Sequence, residues 1–185
     1  MKYDPEKVLT IALAEVGYLE KETNDRLDGP KDNAGDENFT KYARDLDATR
    51  FYNGQKNGFA WCDVFVDWCF VKAYGEAAAR KLTFQPAIFL FNKGAGCRYS
   101  FGYYRENGRI YSDPKPGDQV FFLNGEGDRV CHTGLVYDVD KTWVYTVEGN
   151  TSDAEGVVDN GGAVCKKKYR LTDSRLAGYG RPYYT

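Results

Sequence analysis

The chain has 185 residues, a length that suits one domain built around a single core. Hydrophobic residues make up 42% and charged residues 28%, which excludes a disordered chain. The 25 basic and 27 acidic residues leave a net charge of −2, so charge gives no reason to expect nucleic acid or a membrane as a partner.

The N-terminal segment predicts a helix. Asp4 and Pro5 form an N-cap followed by proline in the first helical position, and apolar residues then recur at helical spacing until Gly17. Acidic residues lie among the apolar ones, which argues against a signal peptide, and no stretch approaches the ~18 apolar residues of a membrane span. We therefore expect a protein that is made in the cytoplasm and acts elsewhere only after release.

Residues 22–38 are rich in Asp, Asn and Gly and are expected to form a long loop, followed by a short helix from Phe39 to Leu46. The loop carries four aspartates, at Asp25, Asp28, Asp32 and Asp36. Their spacing is not the alternating D-x-D-x-D arrangement that places several oxygens on one calcium ion. We expect a solvated loop, with no metal and no cofactor.

The second helical half and the strands follow in order. A helix is expected from near Cys62 to Gly75, the alanine-rich segment EAAARKL extends the helical half, and the glycine-rich segment from Phe84 to Ser112 should hold loops and one short helix. The predicted strands are Asp118–Leu123, His132–Val139, Trp143–Glu148, Val164–Tyr169 and Gly178–Tyr183. Helices first and antiparallel strands after them indicate an α+β fold in one domain over residues 1–185, with N-terminal helices packed on a C-terminal antiparallel sheet.

The five cysteines are Cys62, Cys69, Cys97, Cys131 and Cys165. An odd number without a secretory signal argues against a disulfide framework. No two of them have the C-x-x-C spacing, so the sequence gives no sign of a structural zinc site.

Cys62 is the best candidate for a nucleophile because it lies where a polar loop becomes an apolar helix. The positive end of the helix favours the thiolate, and its free backbone N–H groups can receive an oxyanion. Cys69 lies two turns deeper and is expected to be a core residue. His132 is the only histidine in the chain, so any cysteine–histidine chemistry must use it.

The strands around His132 predict how that histidine is held. In a hairpin with its loop centred on Asp140, His132 lies opposite Glu148, with the two Cβ atoms about 4.5–5.5 Å apart. Glu148 could then accept the imidazole N–H and stabilise the charged ring. Asn150, just beyond the strand end, could do the same or bind the oxyanion.

Four segments carry a resemblance to a known family: WCDVFV from Trp61, PGDQVFF from Pro116, HTGLV from His132 and EGNT from Glu148. In this order they are similar to the signature of CHAP domains, the cysteine- and histidine-dependent amidohydrolases/peptidases, which belong with the papain-like and NlpC/P60 folds. The similarity runs from about Gly17 to the C-terminal GYGRP.

The resemblance implies a papain-like peptidoglycan hydrolase, in which Cys62 is the nucleophile, His132 the base, Glu148 the residue that orients the imidazole and Asn150 a supporting polar group. The cleaved amide would join sugar to stem peptide (N-acetylmuramoyl-L-alanine amidase) or lie within the peptides (endopeptidase), as in phage endolysins. The expected partner is bacterial peptidoglycan at the cell wall, and a separate domain or chain is expected to supply strong wall binding.

The sequence leaves other points open. Papain-like enzymes often carry a glutamine before the nucleophile as an oxyanion donor, and here Gln55 and Asn57 both have suitable spacing. The same cysteine–histidine pair also occurs in deamidases, transglutaminases and toxins that act on other amides. A wall-binding or phage structural module without turnover is the non-enzymatic alternative, and the presence of all three of Cys62, His132 and Glu148 argues against it.

Overall fold

A computed structural model describes residues 3–87, 91–92 and 94–185. In these residues the helices are α1 (Pro5–Ala14), α2 (Lys41–Ala48), α3 (Cys62–Tyr74), α4 (Glu76–Leu82) and α5 (Cys97–Glu106). The strands are β1 (Ile110–Tyr111), β2 (Gln119–Leu123), β3 (Val130–Val139), β4 (Trp143–Thr151), β5 (Ala163–Arg170) and β6 (Leu176–Gly180).

The six strands of the described residues form one sheet in the order β1-β6-β2-β3-β4-β5, and every neighbouring pair is antiparallel. Helices precede the strands along the chain, and the longest of them, α3, packs against the central strands β3 and β4. The predicted α+β class, with N-terminal helices on a C-terminal antiparallel sheet, is therefore confirmed.

Helix α3 is enclosed on nearly all sides. Ten of its 13 residues are buried, and it packs against α1, α2 and α4 as well as the sheet. Its sequence is apolar around most of the helix, which is the pattern of a helix inside a core rather than on a surface. Because its N-terminus is fixed by this packing, Cys62 at its first position is fixed as well.

The first two helices begin at residues whose side chains cap them. The Asp4 side chain accepts a hydrogen bond from Glu6 N, as predicted, and α1 ends at Ala14, before Gly17. Helix α2 begins two residues later than predicted, because Thr40 is its N-cap and accepts a hydrogen bond from Ala43 N. The polar segment 22–38 is irregular, as expected.

The C-terminal strand differs from its prediction. Strand β6 covers Leu176–Gly180 rather than Gly178–Tyr183, since Arg181 already bonds to the loop before β1 and Pro182 has no N–H to donate. Within Phe84–Ser112 the described residues hold one helix, α5, and the short strand β1, which was not predicted. Residues 88–90 and 93 of that segment lie outside the described residues.

The β3–β4 hairpin pairs in a different register from the predicted one. Next to the turn, Val139 pairs with Val144, three residues from its predicted partner, because the turn begins at Asp140 instead of being centred on it. A β-bulge between Val136 and Asp138 then brings Leu135 opposite Val147, two residues from its predicted partner. The prediction that His132 lies directly opposite Glu148 was therefore wrong. A shift of two residues leaves every side chain on the same face, so the two residues still share a face.

In the part of the chain that the structure describes, no helix has both the length and the apolar character needed to cross a membrane.

Candidate active site

Cys62 is the first residue of α3 and is almost fully buried, with 6% of its surface exposed. The residue before it, Trp61, is completely buried; its indole N–H donates to Glu20 Oε2 at 2.6 Å and its ring packs against Tyr42. Trp61 provides no side-chain cap to α3. The N–H groups of the first turn therefore have no acceptor from a capping side chain, and Cys62 lies beside them.

His132 and Glu148 form a buried pair next to Cys62. The Nε2 atom of His132 lies 2.9 Å from Glu148 Oε2, and neither side chain has any exposed surface. The structure thus brings together the three residues that the sequence singled out, although Glu148 reaches His132 diagonally rather than from the directly opposite position.

Glu148 is held by two further hydrogen bonds. The hydroxyl of Thr146 donates to Oε1 at 2.5 Å, and the hydroxyl of Tyr169 donates to Oε2 at 3.2 Å. With His132, each carboxylate oxygen then has at least one partner, which a buried charge requires. The carboxylate therefore has a fixed orientation when it meets the imidazole.

Gly134 makes room for this arrangement. A Cβ atom at Gly134 would lie 2.4 Å from Glu148 Cγ and 2.8 Å from Val147 O, both far below van der Waals contact. The side chain of Glu148 passes through the space that a larger residue would occupy. The glycine in the HTGLV segment is thus a steric requirement of the His132–Glu148 pair.

The surroundings of Cys62 favour its thiolate. Hydrogen bonding by the neighbouring Cys97 thiol lowers the pKa of Cys62, and the interaction with His132 lowers it further, so that it lies well below that of an ordinary thiol despite burial. A lowered pKa is what makes a cysteine a nucleophile at neutral pH.

The pKa of the His132 imidazole shifts in the opposite direction. Burial alone would lower the pKa of His132, but its interactions with Cys62 and Glu148 outweigh burial and raise it to about 10. Among the described residues, no hydrogen bond to its second ring nitrogen, Nδ1, meets ordinary distance and angle limits. The opposite pKa shifts of Cys62 and His132 favour a thiolate beside an imidazolium at neutral pH.

A buried polar network begins at the residue that follows Cys62. Asp63, the next residue of α3, accepts hydrogen bonds from Ser100 Oγ at 2.8 Å and from Gln119 Nε2 at 3.0 Å. Gln119 Nε2 also lies 3.1 Å from Thr133 Oγ1. Burial raises the pKa of Asp63 well above that of an ordinary carboxyl. The network ties the first turn of α3 to α5 and to strands β2 and β3.

Asn150 is not part of the His132–Glu148 pair. Its side chain is fully buried, but neither its Nδ2 nor its Oδ1 has a hydrogen-bond partner in the described residues. The residue has a φ of 55°, in the left-handed region, within the irregular pairing of β4 and β5 between Glu148 and Thr151. Asn150 therefore makes no hydrogen bond to His132 within the described part of the chain, and its alternative role, binding the oxyanion, stays a prediction.

The two candidates for a side-chain oxyanion donor differ in what they do. Asn57 accepts a hydrogen bond from Thr40 N at 2.9 Å and donates to Asn24 Oδ1 at 2.8 Å, so its amide holds the N-terminal loop. Gln55 is exposed in the loop before α3. Neither position gives a reason to prefer it as an oxyanion donor.

The loop aspartates do not gather around a common point. Asp28 forms a two-point ion pair with Arg44, with N···O distances of 2.8 and 3.0 Å. Among the described residues, one group of three acidic side chains approaches closely enough to hold an ion: the exposed Glu22, Asp36 and Glu37, of which only Asp36 belongs to the predicted set. Exposed carboxylates of this kind are common on surfaces without any ion, and the residues of the site itself include no such cluster.

Sequence reasoning missed several residues of the site: Asp63, Cys97, Gly134, Thr146 and Tyr169. Thr146 lies two residues before Glu148 on the same face of its strand, which the period of two could have revealed. Cys97 carried no usable signal, because the glycine-rich segment around it has no clear helical pattern.

Comparison with protein-family models and with curated proteins finds no match. Among solved structures, the chain is similar to one described as "The crystal structure of Ly7917", with a TM-score of 0.53 and 11% sequence identity. The similarity covers 96% of this chain and 62% of the other, so the chain spans less than two thirds of that protein's length. At this identity the likeness concerns the fold alone.

Proposed function

We propose that the protein is a papain-like cysteine hydrolase that cleaves an amide bond of bacterial peptidoglycan. The observation that carries the proposal is the position of Cys62, at the start of the buried helix α3 and beside a His132–Glu148 pair joined at 2.9 Å. A thiolate at a helix N-terminus, an imidazolium and a carboxylate that orients it are the parts that amide cleavage by a cysteine requires.

In the proposed reaction the Cys62 thiolate attacks the carbonyl carbon of the amide. The N–H groups of the first turn of α3, which Trp61 leaves without a side-chain cap, stabilise the negative charge that develops on the carbonyl oxygen. His132 then donates its proton to the leaving amine. The resulting thioester on Cys62 is hydrolysed by water, with neutral His132 as the base, and Glu148 keeps the imidazole in place throughout.

The substrate class rests on the resemblance of four ordered segments to CHAP domains rather than on the shape of a cleft. The same residues could cleave another amide, such as a glutamine side chain. Peptidoglycan is favoured because the four segments include the residues around the nucleophile, the base and the orienting carboxylate.

Digestion of purified peptidoglycan with the wild-type protein, followed by mass spectrometry of the released fragments, tests this function. We expect soluble fragments whose new termini identify the cleaved bond: a free stem-peptide amine for an amidase, or new peptide ends for an endopeptidase. Walls with several kinds of cross-link should be used, since specificity among them is not defined by the site.

Two variants serve as a matched pair in the same assay. Cys62→Ala should release no fragments while keeping its circular dichroism spectrum. Cys69→Ala, which removes a second buried thiol from the same helix, should digest the wall normally. Full activity of Cys62→Ala would refute the proposal. If the wild type releases no fragments from any wall, the substrate is an amide outside the cell wall.

A further inference from the structure

A second thiol lies beside the proposed nucleophile. Cys97 is the first residue of α5, as Cys62 is of α3, and the first turns of the two helices meet where Ser100 Oγ donates to Asp63 Oδ2 at 2.8 Å. The two thiols lie close enough for each to shift the pKa of the other. Both are almost buried, with 7% of Cys97 and 6% of Cys62 exposed, and neither is in a disulfide. The N-termini of the two helices thus bring two free thiols together.

The polar network joins the two helices directly beside these thiols. Ser100, one turn after Cys97 on α5, donates to Asp63 Oδ2 at 2.8 Å, and Asp63 directly follows Cys62. Cys97 also packs in the apolar cluster of Tyr104 and Phe121, which holds α5 against the sheet. Since both helices are anchored next to their cysteines, the thiols do not depend on a mobile loop to meet.

We propose that Cys62 and Cys97 form a reversible, peroxide-sensitive thiol pair, in which Cys97 closes a disulfide with the oxidised nucleophile and protects it. The consequence for activity rests on the proposed function, because a disulfide at Cys62 removes the sulfur that would attack the amide. The chemistry of the pair can be measured without any wall substrate.

The oxidant is a hydroperoxide. The Cys62 thiolate attacks one peroxide oxygen, the O–O bond breaks, and Cys62 becomes a sulfenic acid as hydroxide or alkoxide leaves with the electron pair. The Cys97 sulfur then attacks the Cys62 sulfur and water leaves, carrying the sulfenic oxygen and the Cys97 proton. The two thiols lose two electrons and two hydrogens in total, and an external dithiol restores them.

The pKa values of the two thiols favour reaction of Cys62 with the peroxide first and of Cys97 with the oxidised Cys62 afterwards. Interactions with Cys97 and His132 lower the pKa of Cys62, whereas those with Cys62, together with burial, raise the pKa of Cys97. Cys62 is therefore the thiolate that meets the peroxide, and Cys97 is the neighbour that resolves it. Cys131, next to His132 in β3, is the other thiol close to Cys97, and it must be distinguished experimentally.

The test is peptide mapping by mass spectrometry after brief treatment with hydrogen peroxide and alkylation of the remaining thiols. The wild type should yield a peptide pair linked through Cys62 and Cys97, lighter by two hydrogen atoms, which dithiothreitol separates. Cys97→Ser should yield no linked pair, and its Cys62 should instead accumulate as sulfinic and sulfonic acids that dithiothreitol does not reduce. Cys131→Ser and Cys69→Ser, as controls, should still form the Cys62–Cys97 link.

The proposal is overturned if wild-type Cys62 reaches the sulfinic acid as readily as in Cys97→Ser, or if its disulfide partner is Cys131. If Cys97→Ser fails to fold, the wild-type peptide map still shows whether Cys62 forms a disulfide and whether its partner is Cys97 or Cys131. Wall digestion measured on the same samples separates the two proposals: a Cys62–Cys97 link in a protein that never digests peptidoglycan would support the thiol pair and not the hydrolase.

Discussion

At the scale of single residues, the decisive feature is the carboxylate of Glu148, which water cannot reach. Glu148 has no exposed surface and meets His132 at 2.9 Å, so its carboxylate acts on the imidazole without screening by solvent. Three hydrogen bonds hold it, from His132, Thr146 and Tyr169. The role of this residue is to orient and to stabilise a charge, and not to react.

Replacement of Glu148 by Gln should lower turnover without abolishing it. The negative charge that helps to raise the pKa of His132 to about 10 is lost, so the imidazolium should give up its proton at lower pH. The alkaline limit of the pH–activity profile should therefore move to lower pH, as measured by the rate of wall digestion across pH. Glu155→Gln, on an exposed loop, is the control and should leave the profile unchanged; an unshifted alkaline limit in Glu148→Gln would contradict the role assigned to this carboxylate.

At the scale of the elements, the sequence predicted most helices and strands because their signals are local. The Asp4–Pro5 cap, the Thr40-capped helix and the loop-to-helix change at Cys62 depend on neighbouring residues alone. The hairpin register was wrong by two residues because it depends on where the turn starts and on the β-bulge between Val136 and Asp138. Asp140 Oδ1 accepts hydrogen bonds from Thr142 N and Trp143 N and so sets the start of the turn.

The candidate site was partly accessible from the sequence for the same reason. Cys62, His132 and Glu148 each belong to a local pattern, and the period of two along a strand kept His132 and Glu148 on one face in spite of the wrong register. The proximity of Cys97 to Cys62 could not be predicted from the sequence, because it depends on how α5 packs against α3. The burial of Asn150 without a hydrogen-bond partner among the described residues could not be predicted either.

Gly134→Ala tests the packing of strands β3 and β4 around Glu148. The new methyl group would lie 2.4 Å from Glu148 Cγ, so either the strands separate or the carboxylate moves away from His132. We expect a loss of about 1–3 kcal/mol in the free energy of unfolding, measured in urea, together with a large loss of activity. Gly125→Ala, whose Cβ would meet nothing within 4 Å, should change stability by at most about 0.5 kcal/mol. Equal effects of the two substitutions would refute the steric role of Gly134.

At the scale of the whole molecule, buried carboxyls couple stability to pH. Asp67 lies inside α3, where it accepts hydrogen bonds from Tyr52 at 2.7 Å and from Gln85 at 2.6 Å. Burial raises its pKa to about 7 in the folded protein. Because its pKa in the unfolded chain is about 4, the protonated form favours folding, and this contribution is lost as the pH rises from about 4 through about 7.

Asp67→Asn should therefore flatten the pH dependence of stability. Relative to the wild type, the variant should gain stability as the pH rises through that window, by about 1.4 kcal/mol for each pKa unit removed, as measured by urea unfolding at several pH values. Asp45→Asn is a control of opposite sign, since hydrogen bonds from Trp68 and Arg44 outweigh burial and lower the pKa of Asp45. A difference between Asp67→Asn and wild type that stays constant with pH would show that this carboxyl does not titrate in the window.

Alkylation of the native protein by iodoacetamide at about pH 6 tests most directly whether the surrounding groups hold Cys62 as a thiolate. Cys131 and Cys165 are more exposed than Cys62, so accessibility alone would make them react first. We expect peptide mapping to show that Cys62 is modified first, and we expect His132→Ala to slow its modification severalfold or more. Faster reaction of Cys131 or Cys165, or a Cys62 rate unchanged by His132→Ala, would show that its neighbours do not hold Cys62 as a thiolate.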